Sequence, residues 1–451
     1  MHPSVLSIFT LLASSLLSAS SIALQPSSSS LVVYNGGLGL VHETRELLLD
    51  RGKQSLVYPD VASSVQTDSV NVMFPKGVTL YSQQYRFDQI DARKLAQAHL
   101  GREVKFYLQT GSDLLFKNGT LLSADSQAVV KTAQDEIFTV PLSALIFSNI
   151  PKELITKPSL IWNIDAPQTN KAALSLDYLI NSISWKSDYI LNLSKNHADL
   201  SGWITIDNRS GKAFKETKLS VLAGVINRIK TADNRYFIAK AALSESDSAA
   251  VRELSHEGYH LYQIPFAVTL ANNEKTQIKF LDVKKIPIER KYDVRLSSPF
   301  YFQGEIKHPV SQYLEIKSLD NPLPMGTIRS YSKEQERTLL LGESRIEHTP
   351  LHEKIKITLG INFDLLVKEK LISTDSDRYF LDTKVTYEVV NRSQEPKTIR
   401  LLIPFIKRHD AQSSIDTNEK YHWENGTLLA FDLLLKADSK KVFDVHFRDK
   451  K

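Results

Sequence analysis

The fold class of this chain follows from stretches such as residues 384–393, which read Lys-Val-Thr-Tyr-Glu-Val-Val-Asn-Arg-Ser. Val385, Tyr387 and Val389 alternate with polar residues, and this period of two predicts a β-strand with one apolar face. The same alternation runs through residues 189–194 and 443–448. Turn signals separate such runs, at Asn35-Gly36-Gly37, Lys117-Asn118-Gly119, Arg209-Ser210-Gly211, Asn272-Asn273 and Asn425-Gly426. Short strands with frequent turns and few, short helices predict an all-β protein built of several β-sandwiches and a small barrel.

The stretch also ends in a motif that recurs. Residues 387–393 lead through a polar link to a second apolar run at 399–402, and residues 203–210 lead in the same way to 219–222. Each motif carries Asn-Arg-Ser after a strand pattern, and Asn favours turns because its side chain can bond to its own backbone. The match is consistent with two related sandwiches in the C-terminal half. The alternative is that strand, Asn-x-Ser and strand is a common arrangement in β proteins.

Composition places the chain among ordinary folded proteins. Its 451 residues are 42% hydrophobic and 24% charged, which predicts two to three domains. The formal charge of +5 is weak for this length, and we expect no nucleic-acid partner. The densest basic patches, at 284–285 with 290–291 and at 448–451, are interpreted as solvated strand ends or a frayed terminus. The absence of cysteine excludes disulfides, thiol catalysis, thiolate zinc sites and a lipoprotein anchor.

The N-terminus has the pattern of an export signal. Residues 5–23 contain no charged side chain, and Ser21 and Ala23 supply the small residues of a cleavage site. One feature departs from the pattern, because no Lys or Arg precedes the apolar stretch. The alternative is an uncleaved anchor or a buried N-terminal helix. We expect residues 1–23 to be a signal peptide, and the mature protein to be periplasmic or secreted without a transmembrane segment.

Shifts in composition divide the rest of the chain. The predicted units are an N-terminal β domain at 24–100, a small barrel-like insertion at 101–150, a central β-sandwich at 151–320 and a C-terminal β-sandwich at 321–451. Two short helices are also predicted. Residues 91–100 begin with Asp and are followed by glycine, which is typical of helix ends, and residues 244–254 are the weaker candidate.

One stretch satisfies the pattern of the zinc peptidases literally. His256, Glu257 and His260 match His-Glu-x-x-His, in which two histidines on one helix face bind zinc and the glutamate polarises a bound water. The context is unfavourable to a helix, because Gly258 lies inside the motif and Pro265 follows it. A zinc-dependent hydrolase is therefore kept as an alternative function, and a loop meeting a strand is the preferred interpretation.

The other candidates for chemistry are weaker. His348 and His352 flank Pro350, so a metal site there requires loop geometry, and a surface turn is the simpler interpretation. No phosphate-binding glycine loop and no nucleophile elbow occur in the sequence. No catalytic, cofactor-binding or metal-binding residue is therefore assigned, and no cofactor is expected. A carbohydrate-binding module is a further alternative, with the four tryptophans as stacking candidates: Trp162, Trp185, Trp203 and Trp423.

Several stretches together resemble one family. In chain order they are Val33 to Arg45, Asp68-Ser69-Val70, Ser184 to Tyr189, Gly202-Trp203, Leu222-Ala223-Gly224, Pro322 to Gly326, Leu341-Gly342-Glu343, His348-Thr349-Pro350 and Leu359-Gly360. Their order and spacing resemble the bacterial exported proteins of the mucoidy inhibitor A-like group, which share the domain of unknown function 4139. The resemblance implies a β-rich exported protein of the cell envelope, and it supplies no catalytic residues. This chain lacks the coiled-coil segment that many such proteins carry.

These observations favour one function class. We expect an exported, non-catalytic protein or structural module that binds another protein or a surface polymer of the envelope. Sandwich edges and loops commonly serve that purpose, although this is an argument from fold class. The oligomeric state stays open.

Overall fold

The computed structural model describes residues 21–151, 153–224, 252–256, 259–317, 319–408 and 413–451. Strands make up 67% of the chain and helices 3%, and no helix in these residues reaches seven residues. The all-β prediction with few short helices is confirmed. In the same residues, no helix combines the length and apolarity that crossing a membrane requires.

The strands up to residue 224 are mostly short. They are β1 (Ser21–Ile22), β2 (Ser28–Tyr34), β3 (Leu38–Leu49), β4 (Gly52–Pro59), β5 (Asn71–Met73), β6 (Thr79–Arg86), β7 (Glu103–Thr110), β8 (Asp113–Ala124), β9 (Gln127–Lys131), β10 (Ile137–Pro141), β11 (Leu145–Ile146), β12 (Ser159–Ala166), β13 (Asn170–Asn181), β14 (Ile183–Leu193), β15 (His197–Asn208) and β16 (Phe214–Ala223). The helical segments are 3₁₀ turns at Thr67–Ser69 and Leu142–Ala144 and helix α1 (Ala92–Gln97).

The remaining described strands include the longest one. They are β17 (Arg252–His256), β18 (Tyr259–Leu270), β19 (Glu274–Pro287), β20 (Glu289–Arg295), β21 (Glu305–Ile316), β22 (Gly326–Glu334), β23 (Arg337–Ile346), β24 (Ile355–Ser376), β25 (Phe380–Asn391), β26 (Lys397–Pro404), β27 (Ser413–Asp416), β28 (His422–Asn425), β29 (Leu428–Leu435) and β30 (Ser439–Lys450).

The two predicted helices have different outcomes. The first is confirmed as α1, because the Asp91 carboxylate accepts a hydrogen bond from the Lys94 backbone N–H and caps the helix start. It is shorter than residues 91–100. Of the second, residues 244–251 lie outside the described residues, and residues 252–254 belong to strand β17. Pairing with β18 therefore takes the end of that candidate into a sheet.

Two compact units make up the chain: Met1–Ser184 with Asp207–Lys275, and Trp185–Ile206 with Thr276–Lys451. Each unit is discontinuous in sequence. The predicted domain boundaries after residues 100, 150 and 320 stay predictions, because compactness does not test independent folding.

The first unit contains three sheets. An eight-stranded sheet has the order β17-β18-β16-β2-β3-β13-β5, with β1 also paired to β3. A three-stranded sheet has the order β4-β12-β6. Strands β7 to β11 form a five-stranded sheet around a separate apolar core that includes Phe106, Leu121 and Val130. This sheet lies within the stretch 101–150, where the sequence predicts a barrel-like insertion.

The second unit has two cores that share two strands, β21 and β24. Ile357 of β24 lies in a core with the five-stranded sheet β19-β15-β14-β22-β23. Val367 of the same strand lies in a second core, which is enclosed by the nine-stranded sheet β27-β30-β25-β24-β21-β20-β26-β29-β28. Since the second core draws residues from most strands of one sheet, that sheet folds over its own apolar face.

The strand order along these sheets occurs twice. In residues 28–287 it is β19-β15-β14, then β13-β3-β2-β16-β18-β17, where β13 and β14 follow each other directly with Ser182 between them. In residues 289–450 it is β30-β25-β24-β21-β20-β26-β29-β28, with β24 in place of β13 and β14 together. The parallel pairs also correspond, β16 with β2 and β26 with β20. This order supports an internal duplication that begins at β2, earlier than the sequence motif indicates.

The recurring Asn-x-Ser motif forms the same network in both repeats. The Asn208 amide donates to the carbonyl of Lys212 at 2.9 Å, and the Ser210 hydroxyl donates to the Asn208 side-chain oxygen at 2.8 Å. The Asn391 amide donates to the carbonyl of Glu395 at 2.9 Å, and the Ser393 hydroxyl donates to Asn391 at 2.7 Å. Because both asparagines are buried, these bonds satisfy groups that water cannot reach.

The described chain begins inside the predicted signal peptide. Ser21 and Ile22 form β1, which pairs with Leu48 and Leu47 of β3. Cleavage after Ala23 would remove this short strand. The predicted signal and its cleavage position stay predictions.

Candidate functional site

The zinc-peptidase pattern falls on two paired strands. Strand β17 ends at His256, β18 begins at Tyr259, and these two residues are opposite each other in an antiparallel pair. His260 lies in β18, and Glu257 is outside the described residues. The pattern depends on histidines four residues apart on one helix, and the backbone at His256 and His260 is extended instead. The part of the chain that the structure describes contains no group of three or more potential metal ligands.

The second histidine pair lies at a junction of two loops. The imidazole Nδ1 of His348 accepts a hydrogen bond from the Met325 backbone N–H at 3.1 Å. Thr349 forms a β-bridge with Leu323, and the His352 backbone N–H donates to the carbonyl of Leu319 at 3.1 Å. His348 therefore has a structural role in joining these loops.

The four tryptophans offer little surface for stacking a sugar. Trp162 is fully buried, with its indole N–H bonded to Gln83 at 2.7 Å, and Trp185 is also buried. Trp203 is half-buried. Trp423 is half-buried as well, and one of its faces stacks on Phe405. Buried rings act as core residues, so these positions do not favour the carbohydrate-binding alternative.

A cleft of about 580 Å³ lies in the second unit. Its walls come from four segments that are far apart in sequence: the β14–β15 turn, residues 288–293 at the start of β20, the β25–β26 turn with the start of β26, and Asp432 of β29. Ligand sites in proteins commonly have volumes of about 300–1,000 Å³. The cleft is lined mainly by charged side chains, five of them cationic and four of them acidic.

Arg290 fixes the β14–β15 turn at the edge of the cleft. Its guanidinium donates hydrogen bonds to the carbonyl of Ser194, at 3.0 Å, and to the carbonyl of Lys195. The Ile288 backbone N–H donates to the carbonyl of Asn196 at 3.2 Å. These partners are uncharged carbonyls, so they do not neutralise the positive charge of Arg290.

Glu395 lies between two lysines at the same end. Its two carboxylate oxygens are 3.0 Å from the ammonium groups of Lys195 and Lys397, one on each side. Hydrogen bonds from Lys195 and then Lys397 lower the pKa of Glu395 to about 2. Burial disfavours the charged form of Lys397, but hydrogen bonds to Glu395 and Tyr292 raise the pKa of Lys397 overall. Glu395 and Lys397 are therefore ionised at neutral pH.

The charge is unevenly distributed along the cleft. Lys195, Arg290 and Lys397 against Glu395 leave a formal charge of +2 at one end, where Lys291 and Glu289 pair with each other. Further along, Arg400 pairs with Asp432 at 2.7 Å and Asp293 lies 3.7 Å from Lys356, so these acidic groups have cationic partners. The arrangement can accept an anionic group at the positive end.

Sequence reasoning did not find this site. The sequence pattern predicts a solvated strand end for Arg290 and Lys291, whereas both line the cleft. Their basic patch was a usable signal, but nothing in the sequence places it beside Lys195 or Glu395. The Asn-x-Ser motif was a second signal, since Glu395 follows Asn391 by four residues.

The first unit holds a second group of charges, and this group is buried. Glu43, Arg45 and Lys212 are 1%, 0% and 6% exposed. The Glu43 carboxylate accepts hydrogen bonds from Arg45 at 3.0 Å, from the Tyr58 hydroxyl at 2.7 Å and from the Lys212 ammonium. Burial raises the pKa of Glu43, but Lys212 and Arg45 outweigh burial and hold it below the ordinary value. We interpret this group as structural, because its opposite charges pair with one another in the interior.

No model of a known protein family matches the chain, and a search of curated proteins finds no match. The fold and the site define an all-β protein with a charged, ligand-sized cleft.

Proposed function

We propose that this protein is an exported, non-catalytic binding module of the cell envelope whose cleft takes an anionic group of a surface polymer. The observation that carries the proposal is the formal charge of +2 where Lys195, Arg290 and Lys397 surround Glu395. The shared chemistry is a carboxylate, sulfate or phosphate on a chain of sugars.

The contacts of the cleft support anion binding in two ways. The backbone carbonyls that hold Arg290 also orient its guanidinium, which reduces the conformational entropy lost when a ligand binds. Lys397 is largely buried, with 17% of its side chain exposed, and charge interactions are stronger where water is partly excluded.

A binding role is favoured over catalysis by the acidity of Glu395. A carboxylate whose pKa is about 2 is a weak general base, since general bases work best with a pKa near the working pH. The envelope location rests on the apolar N-terminal stretch at 5–23 and on the resemblance to mucoidy inhibitor A-like proteins, which is itself part of the proposal.

The proposal is tested by measuring the binding of purified protein to polygalacturonate, dextran sulfate and uncharged dextran. We expect both anionic polymers to bind in 50 mM NaCl, binding to weaken in 300 mM NaCl as the charges are screened, and uncharged dextran not to bind. Binding to only one anionic polymer would identify the anionic group.

Matched variants locate the binding. Arg290→Met and Lys397→Met should each weaken binding severalfold. Lys384→Met removes the same kind of charge from a lysine that pairs with Asp444 on strand β30, and it should leave binding unchanged. Equal losses in Lys397→Met and Lys384→Met, or equal binding of uncharged dextran, would refute the proposal.

A further inference from the structure

Glu395 combines a fixed backbone with an exposed side chain. Its carbonyl accepts a hydrogen bond from the amide of the buried Asn391 at 2.9 Å, and the Ser393 hydroxyl, which donates to Asn391, lies 3.0 Å from the same carbonyl. About half of its side chain, 53%, is exposed. The carboxylate can therefore rotate into solvent without any change in the turn.

The position of its carboxylate corresponds to that of a bound anion. Lys195 and Lys397 approach opposite oxygens of one carboxylate, both at 3.0 Å, as they would approach a ligand's anionic group. On this geometry we propose that Glu395 is an internal counter-ion, which occupies the anion site until the anionic ligand displaces it. This inference rests on the proposed function of the cleft.

The equivalent position in the first repeat is buried. Lys212 also lies four residues after its motif asparagine, and its carbonyl accepts the same hydrogen bond from Asn208. Its side chain is buried against Glu43, so no ligand can reach that charge pair. In both repeats, the residue four positions after the asparagine is charged and pairs with a residue of opposite charge. Only Glu395, in the second repeat, is exposed, so only there can a ligand replace the charged side chain.

Exchange conserves the number of ion pairs. A ligand carboxylate or sulfate that replaces Glu395 forms ion pairs with Lys195 and Lys397. The Glu395 carboxylate loses these two ion pairs and becomes hydrated instead. Affinity for the polymer is consequently lower than the three cations alone would give. Release of Glu395 occurs by competition rather than by protonation, because its pKa of about 2 keeps it ionised at neutral pH.

The test compares Glu395→Gln with wild type, using dextran sulfate and polygalacturonate as probes. Glutamine keeps the shape of the side chain and removes its charge. We expect binding about three- to fivefold tighter in 50 mM NaCl, a change of the size typical for one exposed ion pair, and a smaller difference in 300 mM NaCl. Glu395→Ala is the second variant, and it should show the same direction.

The matched control is Glu388→Gln. Glu388 pairs with Lys368 at 2.8 Å elsewhere in the same unit, so this variant makes the same change in net charge. If wild type binds and Arg290→Met weakens it, but Glu395→Gln behaves like Glu388→Gln, the counter-ion is refuted while the proposed function stands. If neither wild type nor Glu395→Gln binds either polymer, both are refuted. Binding by Glu395→Gln alone would support the counter-ion.

Discussion

Replacing Glu43 with glutamine should strongly destabilise the first unit. The substitution leaves the buried charges of Arg45 and Lys212 without their carboxylate, although glutamine can still accept a hydrogen bond from Tyr58. Removing one partner of a buried ion pair typically costs about 3–5 kcal/mol, because the remaining charge stays desolvated. Since the glutamine side chain would keep part of the hydrogen bonding, we expect about 3 kcal/mol at pH 7.

The assay is urea unfolding, monitored by hydrogen exchange with mass spectrometry. The measured quantity is the protection of peptides from strand β3 as a function of urea concentration. Local readout is needed because a chain of two units need not unfold in one step. Glu46→Gln is the matched control on the same strand. Glu46 forms an exposed ion pair with Lys171 at 3.1 Å, and such pairs contribute about 0–1 kcal/mol.

The pH dependence gives a second check with a defined sign. The pKa of Glu43 is lower in the folded chain than its ordinary value of 4.5, so its stabilising effect is present above pH 4.5 and is lost as pH falls through the folded pKa. The stability difference between wild type and Glu43→Gln should therefore shrink in acid. If Glu43→Gln lowers the free energy of unfolding by less than about 1 kcal/mol at pH 7, or by no more than Glu46→Gln does, the stabilising role of Glu43 is refuted.

Three further outcomes are expected. Asn391→Ala and Asn208→Ala should each lower the free energy of unfolding in urea by about 1–3 kcal/mol, because the carbonyls of Glu395 and Lys212 lose their hydrogen-bond donor. A decrease of less than about 0.5 kcal/mol would contradict a stabilising role for the hydrogen-bond network. Sequencing of the exported protein should find Leu24 at its N-terminus, whereas retained residues before Ala23 would contradict cleavage there. Elemental analysis of purified protein should find less than stoichiometric zinc, and one zinc per chain that is lost on changing residues 256–260 would restore the hydrolase alternative.

Much of the fold could be predicted because it depends on local patterns. The alternation around Tyr387 predicts a strand, and the structure buries Val385, Tyr387 and Val389 on one face of β25. Asp91 predicts a helix start, and its carboxylate caps α1. The helix at 244–254 was predicted from composition alone, and at its end the pairing of β17 with β18 overrides that preference.

The site could not be predicted in the same way. Arg290 and Lys195 are 95 residues apart, and the carbonyl that Arg290 binds belongs to a turn with no distinctive sequence. The buried group of Glu43 and Lys212 spans 169 residues, and a Glu within a strand or a Lys in a polar loop predicts an exposed side chain.

The sequence by itself determined the strands, their turns and the two Asn-x-Ser motifs, because each of these features depends on residues that are close to one another along the chain. Only the tertiary structure decided that the repeated strand order begins at β2, that the charge of Lys212 is enclosed and that the charge of Glu395 is open to solvent. The physical reason is that strand pairing joins segments regardless of their distance along the chain, and a charge acquires its role from the groups that this pairing places around it.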